Sequence, residues 1–169
     1  MISLLADRHR VDIRNPAMSP RDGRPASVSG DCVLDGKPVR LMMPLTMMNE
    51  SGEAVRGLDV PASSVLIVCD DVNLALGSLR LRADGSPGGH HGLQSCLAAL
   101  GSEAVPRLRL GVGTKDMPRE LSEFVLSPFP NSDRPAVQDM LAQAVEACEA
   151  WVKEGVEAAM SRYNRAAEG

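Results

Sequence analysis

The run Ser64-Val65-Leu66-Ile67-Val68-Cys69 constrains this chain more than any other segment. Six residues without a charge cannot alternate between a wet and a dry face. They predict a strand buried on both sides, at the centre of a layered α/β fold. The run stops at two carboxylates, Asp70 and Asp71. A glycine-rich loop, Gly85-Ser86-Pro87-Gly88-Gly89, then delivers His90 and His91 to the start of a helix. An acid, imidazoles and bare backbone amides are thereby gathered near one strand end, where α/β proteins usually keep their sites.

The remaining elements follow from period and punctuation. Met1 to about Arg10 reads as a helix with a partly apolar face. The stretch from Asn15 to Pro25, rich in Pro, Gly, Arg and Asp, reads as a loop. Ser27–Leu34 and Pro38–Met43 read as extended arms of a hairpin around Asp35-Gly36. Thr46 is placed as the N-cap of a helix running through Asn49 to about Leu58. Ser78–Arg82 and Arg107–Val112 alternate apolar and basic residues and predict half-exposed strands. His90–Leu100 predicts a helix, and Pro118–Leu126 a shorter one. Asn131-Ser132-Asp133 caps a long helix carrying Val137, Leu141, Val145, Cys148 and Val152 on one face. Gly155 interrupts it, and a last helix runs to about Arg165. Strands and helices alternate after residue 44, which predicts an α/β fold with a mixed sheet.

Composition narrows the function. A length of 169 residues suits one domain, and 44% apolar residues supply a core. Only 2% of residues are aromatic, so the core is aliphatic and a row of base-stacking aromatics is excluded. A net charge of −4 excludes a wholly basic surface but not a local basic patch. Arg80, Arg82, Arg107, Arg109, Lys115 and Arg119 fall together in mid-chain. The four cysteines, Cys32, Cys69, Cys96 and Cys148, form no CxxC pair. Neither a disulfide framework nor a zinc site is predicted, and buried free thiols in a reducing cytoplasm are expected. Asp7, Arg8 and Arg10 break any signal-peptide pattern, and no apolar run approaches membrane-spanning length.

A carboxylate at a strand end, such as Asp70, can orient an imidazole and stabilise its charged form. It can equally cap a helix or close a loop ion pair. Side chains alternate along a strand, so Asp71 points elsewhere. Asn49 sits inside the predicted helix, where asparagine is a poor choice unless its amide is needed for a hydrogen bond. Loop amides can face an anion. No G-x-S-x-G turn is present, which argues against a serine esterase of the α/β-hydrolase kind.

Together these pieces resemble the bacterial peptidyl-tRNA hydrolase family. PLTMMNESGEAV is similar to its P-x-T-[FY]-M-N-x-S-G-x-A-[VI] segment. CDDVNLALGSLRLRADGSPGGHHGLQS is similar to its H-D-E-L-D-L segment and the glycine loop ending in G-G-H-N-G-L-[KR]-S. RLRLGVG, EFVLSPF and MSRYN match further segments, so the resemblance runs from about Ile2 to Asn164. It implies one domain over residues 1–169, with a twisted mixed sheet between helices and no metal or cofactor. It implies hydrolysis of the ester joining a peptide to tRNA, in the cytoplasm, with peptidyl-tRNA as partner and no membrane. By position, Asp70 is the residue that orients a histidine base. Met47, Asn49, His90 and His91 take substrate-binding positions, and Arg80 and Arg82 face the tRNA.

Three departures shape the expectations. The family opens with a strand ending in G-L-G-N-P-G and a T-R-H-N segment carrying its catalytic histidine, and this sequence starts after both. An N-terminally truncated domain is therefore expected, lacking the first central strand. It would be a monomer, or self-associate through the exposed sheet gap. His91 stands where the family has asparagine, and either it or His9 is a candidate replacement base. Pro87 and Cys69 stand where the family has histidines. A non-catalytic RNA- or partner-binding protein on the same scaffold is the alternative function.

Overall fold

The computed structural model describes residues 1–118 and 121–164. Two three-stranded sheets replace the single mixed sheet expected. In the first, β1 (Asn15–Met18), β2 (Pro25–Leu34) and β3 (Lys37–Pro44) run antiparallel in that order. The β2–β3 hairpin turns at Asp35 and Gly36, with φ of 50° and 76°. Both central residues are left-handed, the geometry that matches strand twist in a two-residue turn. β1 lies where a loop was expected. All four of its residues are exposed, so it has no apolar face to betray it, and Pro16 is tolerated because the strand is at an edge.

The second sheet has the order β4-β6-β5, from β4 (Ile67–Ala75), β5 (Leu79–Arg82) and β6 (Arg107–Gly113). β4 runs parallel to β6, and β5 antiparallel to it. The apolar run does have neighbours on both faces. Leu66 and Val68 join the main core, whereas Val65, Ile67 and Cys69 join a smaller one. Each of these residues is nonetheless only half-buried, because β4 pairs along one edge only among the described residues.

The main core joins α1 (Ile2–His9) and the long α5 (Arg134–Glu154) to both sheets through Leu5, Leu41, Leu81, Leu108 and Val145. Gly155 (φ 88°) separates α5 from α6 (Val156–Tyr163), which adds Ala159. Arg165, the expected end of that helix, lies outside the described residues. On the other face of the sheet, α3 (His91–Leu100) packs Leu93 and Leu97 against Val105. α4 covers Leu121–Leu126. Of the six residues expected to form a basic cluster, Arg119 also lies outside the described residues.

The helix expected over 46–58 is instead a 3-10 turn (Met48–Glu50) followed by one turn of helix, α2 (Gly52–Val55). Thr46 caps neither, and its buried hydroxyl has no partner among the described residues. Packing against α3 accounts for the break. The Gly52 N–H donates to Ser95 Oγ at 2.9 Å, and a Cβ on Gly52 would lie 2.3 Å from the Ser95 carbonyl oxygen. A Cβ on Gly92 would likewise lie 2.5 Å from Met48 Sδ. Two glycines, one on each side of the contact, let this turn sit directly on α3. Of the cysteines, Cys96 and Cys148 are buried but Cys32 and Cys69 are only half-buried, and all four are free thiols.

Candidate active site

His90 is the N-cap of α3, not its first helical residue. Its Nδ1 accepts the Leu93 N–H at 3.0 Å, which places the ring proton on Nε2. Nε2 then donates to Asp70 Oδ1 at 3.2 Å. This bond holds the Asp70 carboxyl below its ordinary range, against the opposing effect of burial. The Asp70 side chain remains 37% exposed. Its other oxygen makes no hydrogen bond among the described residues. Asp71 points elsewhere, as strand alternation requires, and pairs with Arg109 Nη1 at 3.0 Å. Burial pushes the neighbouring Cys69 thiol up to about 12, so it stays protonated.

The next residue, His91, is exposed and shares an open cleft with Asn49, Arg56, Gln94 and Ser95. Asn49 arrives there on the 3-10 turn that Gly52 and Gly92 bring down on α3. Neither Asp70 nor His90 lines this cleft; His90 is bonded to Asp70 and precedes the cleft residue His91 in the chain. His90 thus meets a carboxylate, whereas its neighbour His91 lines the same cleft as Asn49. Met47 is 73% exposed beside Asn49. His9 is elsewhere, bonded through Nε2 to Glu149 of α5 at 2.7 Å. The hydrogen bond to Asp70 comes from neither His9 nor His91.

A second cleft, of about 360 Å³, is lined by Arg80, Arg82, Arg107, Arg109, Asp71 and Asp84 among others. On β5, Leu79 and Leu81 face the core, so Arg80 and Arg82 face out, as the alternation predicts. On β6 the alternation misleads. Arg107 is 1% exposed, and its guanidinium is satisfied by three backbone carbonyls. The sequence signal for Arg107 and Arg109, an Arg-Leu-Arg-Leu run, predicts exposed cations and misses what they hold. The interhelical role of Ser95 is equally silent in the sequence. It is an ordinary helix residue until Gly52 is seen to donate to it. Among the described residues, no group of three His, Cys, Asp or Glu side chains is placed to hold a metal ion. None of the described helices is long and apolar enough to cross a membrane.

The arrangement resembles known proteins throughout. The family model for peptidyl-tRNA hydrolase matches residues 1–169. A peptidyl-tRNA hydrolase of Syntrophomonas wolfei is 38% identical over 164 residues, covering 95% of this chain and 85% of that protein. One from Roseiflexus is 37% identical over 169 residues, covering 97% of this chain and 75% of its own. The crystal structure of peptidyl-tRNA hydrolase from Acinetobacter baumannii superposes with a TM-score of 0.83 at 27% identity, covering 96% of this chain and 82% of that one.

Proposed function

This chain belongs to the peptidyl-tRNA hydrolase family, and from that premise we propose that it hydrolyses the ester between a peptide and the terminal ribose of tRNA, in the cytoplasm where tRNA is used. The observation that carries this reading is the Asp70–His90 bond, one residue before His91, which lines a cleft with Asn49. A carboxylate that is half exposed and held ionised can align a basic group with its remaining oxygen. His90 keeps Asp70 in place and does not act as the base, since both of its ring nitrogens are already engaged. Asn49 and His91 present N–H donors toward the ester carbonyl and steady the oxygen as it gains charge. Met47 offers an apolar surface to the peptide beside the reacting bond. Arg80 and Arg82, exposed on β5, meet tRNA phosphates. Water adds to the carbonyl carbon, its proton passes to an imidazole base aligned by the free oxygen of Asp70 and from there to the ribose oxygen, and the carbon–oxygen bond to ribose breaks. The products are a free peptide carboxylate and a tRNA with its ribose hydroxyl restored.

The test is hydrolysis of a blocked aminoacyl-tRNA by the 169-residue chain, beside the same chain extended upstream in frame. Cleavage is expected, with Asp70→Asn lowering kcat by about 10²- to 10⁴-fold and leaving tRNA affinity nearly unchanged. Tight tRNA binding without cleavage by either chain would instead favour a binding protein.

A further inference from the structure

We infer that Arg107 is a positioning residue for this site: its buried guanidinium anchors the loop between β5 and α3 so that His90 meets Asp70. The inference rests on the proposed reading of Asp70 and His90.

A buried cation needs full compensation, and most find it in a carboxylate. Arg107 has no carboxylate within salt-bridge distance among the described residues. Nε donates to the Val105 carbonyl at 2.8 Å, Nη2 to Glu103 at 3.0 Å and Nη1 to Gly85. The first two lie on its own approach to β6. Gly85 lies 22 residues back in the chain, so the third bond ties the glycine loop to the sheet. The Gly85 N–H donates to the same Glu103 carbonyl at 3.3 Å, which closes the tie into a triangle.

Arg109 continues the pattern. Its Nη2 takes the carbonyls of Ser86 and Pro87, each at 3.2 Å. Three consecutive loop carbonyls are therefore drawn inward onto two guanidinium groups. The Pro87 carbonyl also accepts the His90 N–H at 3.2 Å, so the direction of His90 is set by this rail. The glycines are fitted to it. A Cβ on Gly85 would stand 3.4 Å from Arg107 Nη1, and one on Gly88 3.3 Å from two nitrogens of Arg109. Arg107 therefore lacks the exposure to meet a phosphate. Arg80 and Arg82, on the exposed face of β5, have it. Lysine cannot substitute, because a single ammonium lacks the planar fork that spans three fixed carbonyls.

The experiment uses the 169-residue chain labelled with nitrogen-15. The three histidine side chains are assigned by single substitution. In the parent protein His90 is expected to show the Nε2-protonated form. In Arg107→Lys its signals should shift and average between tautomers. His9, bonded to Glu149 on another face, should not move, whereas general loosening would move both. Unchanged His90 signals in Arg107→Lys overturn the inference.

Salt dependence of tRNA binding supplies the second readout. Arg107→Gln should keep the parent slope of log Kd against log salt, while Arg82→Ala should lose about 0.7 to 0.9 of a unit. A matching loss in Arg107→Gln makes Arg107 a phosphate contact and overturns the inference. If Arg107→Gln does not fold, the Arg107→Lys spectrum decides. If the parent chain binds no tRNA, the proposed function fails, and the imidazole spectra still judge Arg107.

Discussion

Both ring nitrogens of His90 are engaged, one by a carboxylate and one by a backbone amide, and that double engagement defines the residue. An imidazole held this way is a fixed strut between β4 and α3. His91, one position on, has no such ties among the described residues and lines the cleft. Adjacent identical residues thus divide into holder and presenter, because one is the N-cap and the other opens the helix. The glycines opposite matter as much. Gly52→Ala would push a methyl group to 2.3 Å from the Ser95 carbonyl, and backbone on both sides resists moving. The variant is expected to lose about 1–3 kcal/mol and to draw Asn49 away from His91. Urea midpoints measure the loss. A midpoint equal to the parent's would show that the turn is free to slide on α3. Sequence reading singled out His90, His91 and Asn49 because their residue types are chemically conspicuous. It could not find Gly52 or Ser95 as partners, since a close approach leaves no trace in composition.

Among the elements, β5 shows how a short strand with a free edge is stabilised. It pairs with β6 on one side, and on the other Asn164 stands in for a strand. The Leu81 N–H donates to Asn164 Oδ1 at 2.7 Å, and Asn164 Nδ2 donates to the Leu81 carbonyl at 3.0 Å. One side-chain amide copies both halves of a ladder rung, which also blocks the edge against other strands. Arg80 and Arg82 flank Leu81, so this clasp fixes the strand that carries them outward. Asn164→Ala leaves both Leu81 groups unpaired and should cost about 1–3 kcal/mol. Asn164→Asp keeps the acceptor but sets a carboxylate oxygen against the Leu81 carbonyl, so at neutral pH it should also destabilise. Thermal or urea unfolding of the pair tests this, and equal stability of Ala and parent would deny the clasp any weight. The final Asn of the MSRYN segment was visible as part of a family pattern, but its partner 83 residues away was not. Long elements with a clear period, such as α5, were legible because their own residues encode one buried face. β1 and the broken helix at 46–58 were not, because packing against another element decided them.

Across the whole molecule, local placement outweighs totals. A net charge of −4 coexists with a cleft into which four arginines turn, and only Arg80 and Arg82 among them are exposed. The family and its α/β layering were legible in ordered motifs, whereas the division into two sheets was not, since strand pairing partners are not written in either strand. Acid stability depends on placement in the same way. The buried Glu53 of α2 accepts from Ser19 Oγ at 2.7 Å and from Arg56 Nε at 3.1 Å. The Ser19 hydrogen bond, with Arg56, holds its carboxyl below the ordinary range, as His90 does for Asp70. Ser19 lies in the turn after β1, so Glu53 joins the first sheet to the helical turn that carries Asn49 to the cleft. A carboxyl depressed in the folded state contributes stability that is fully present above its unfolded value, about 4.3 for glutamate and 3.9 for aspartate. That contribution is lost as pH falls through the lower folded value. The urea midpoint should therefore be flat above about pH 5 and decline below about pH 4. Glu53→Gln keeps an oxygen for Ser19 but carries no charge to titrate, so its midpoint should start lower at pH 7 and fall less steeply in acid. Parallel curves for the two proteins would remove Glu53 as a source of the acid sensitivity.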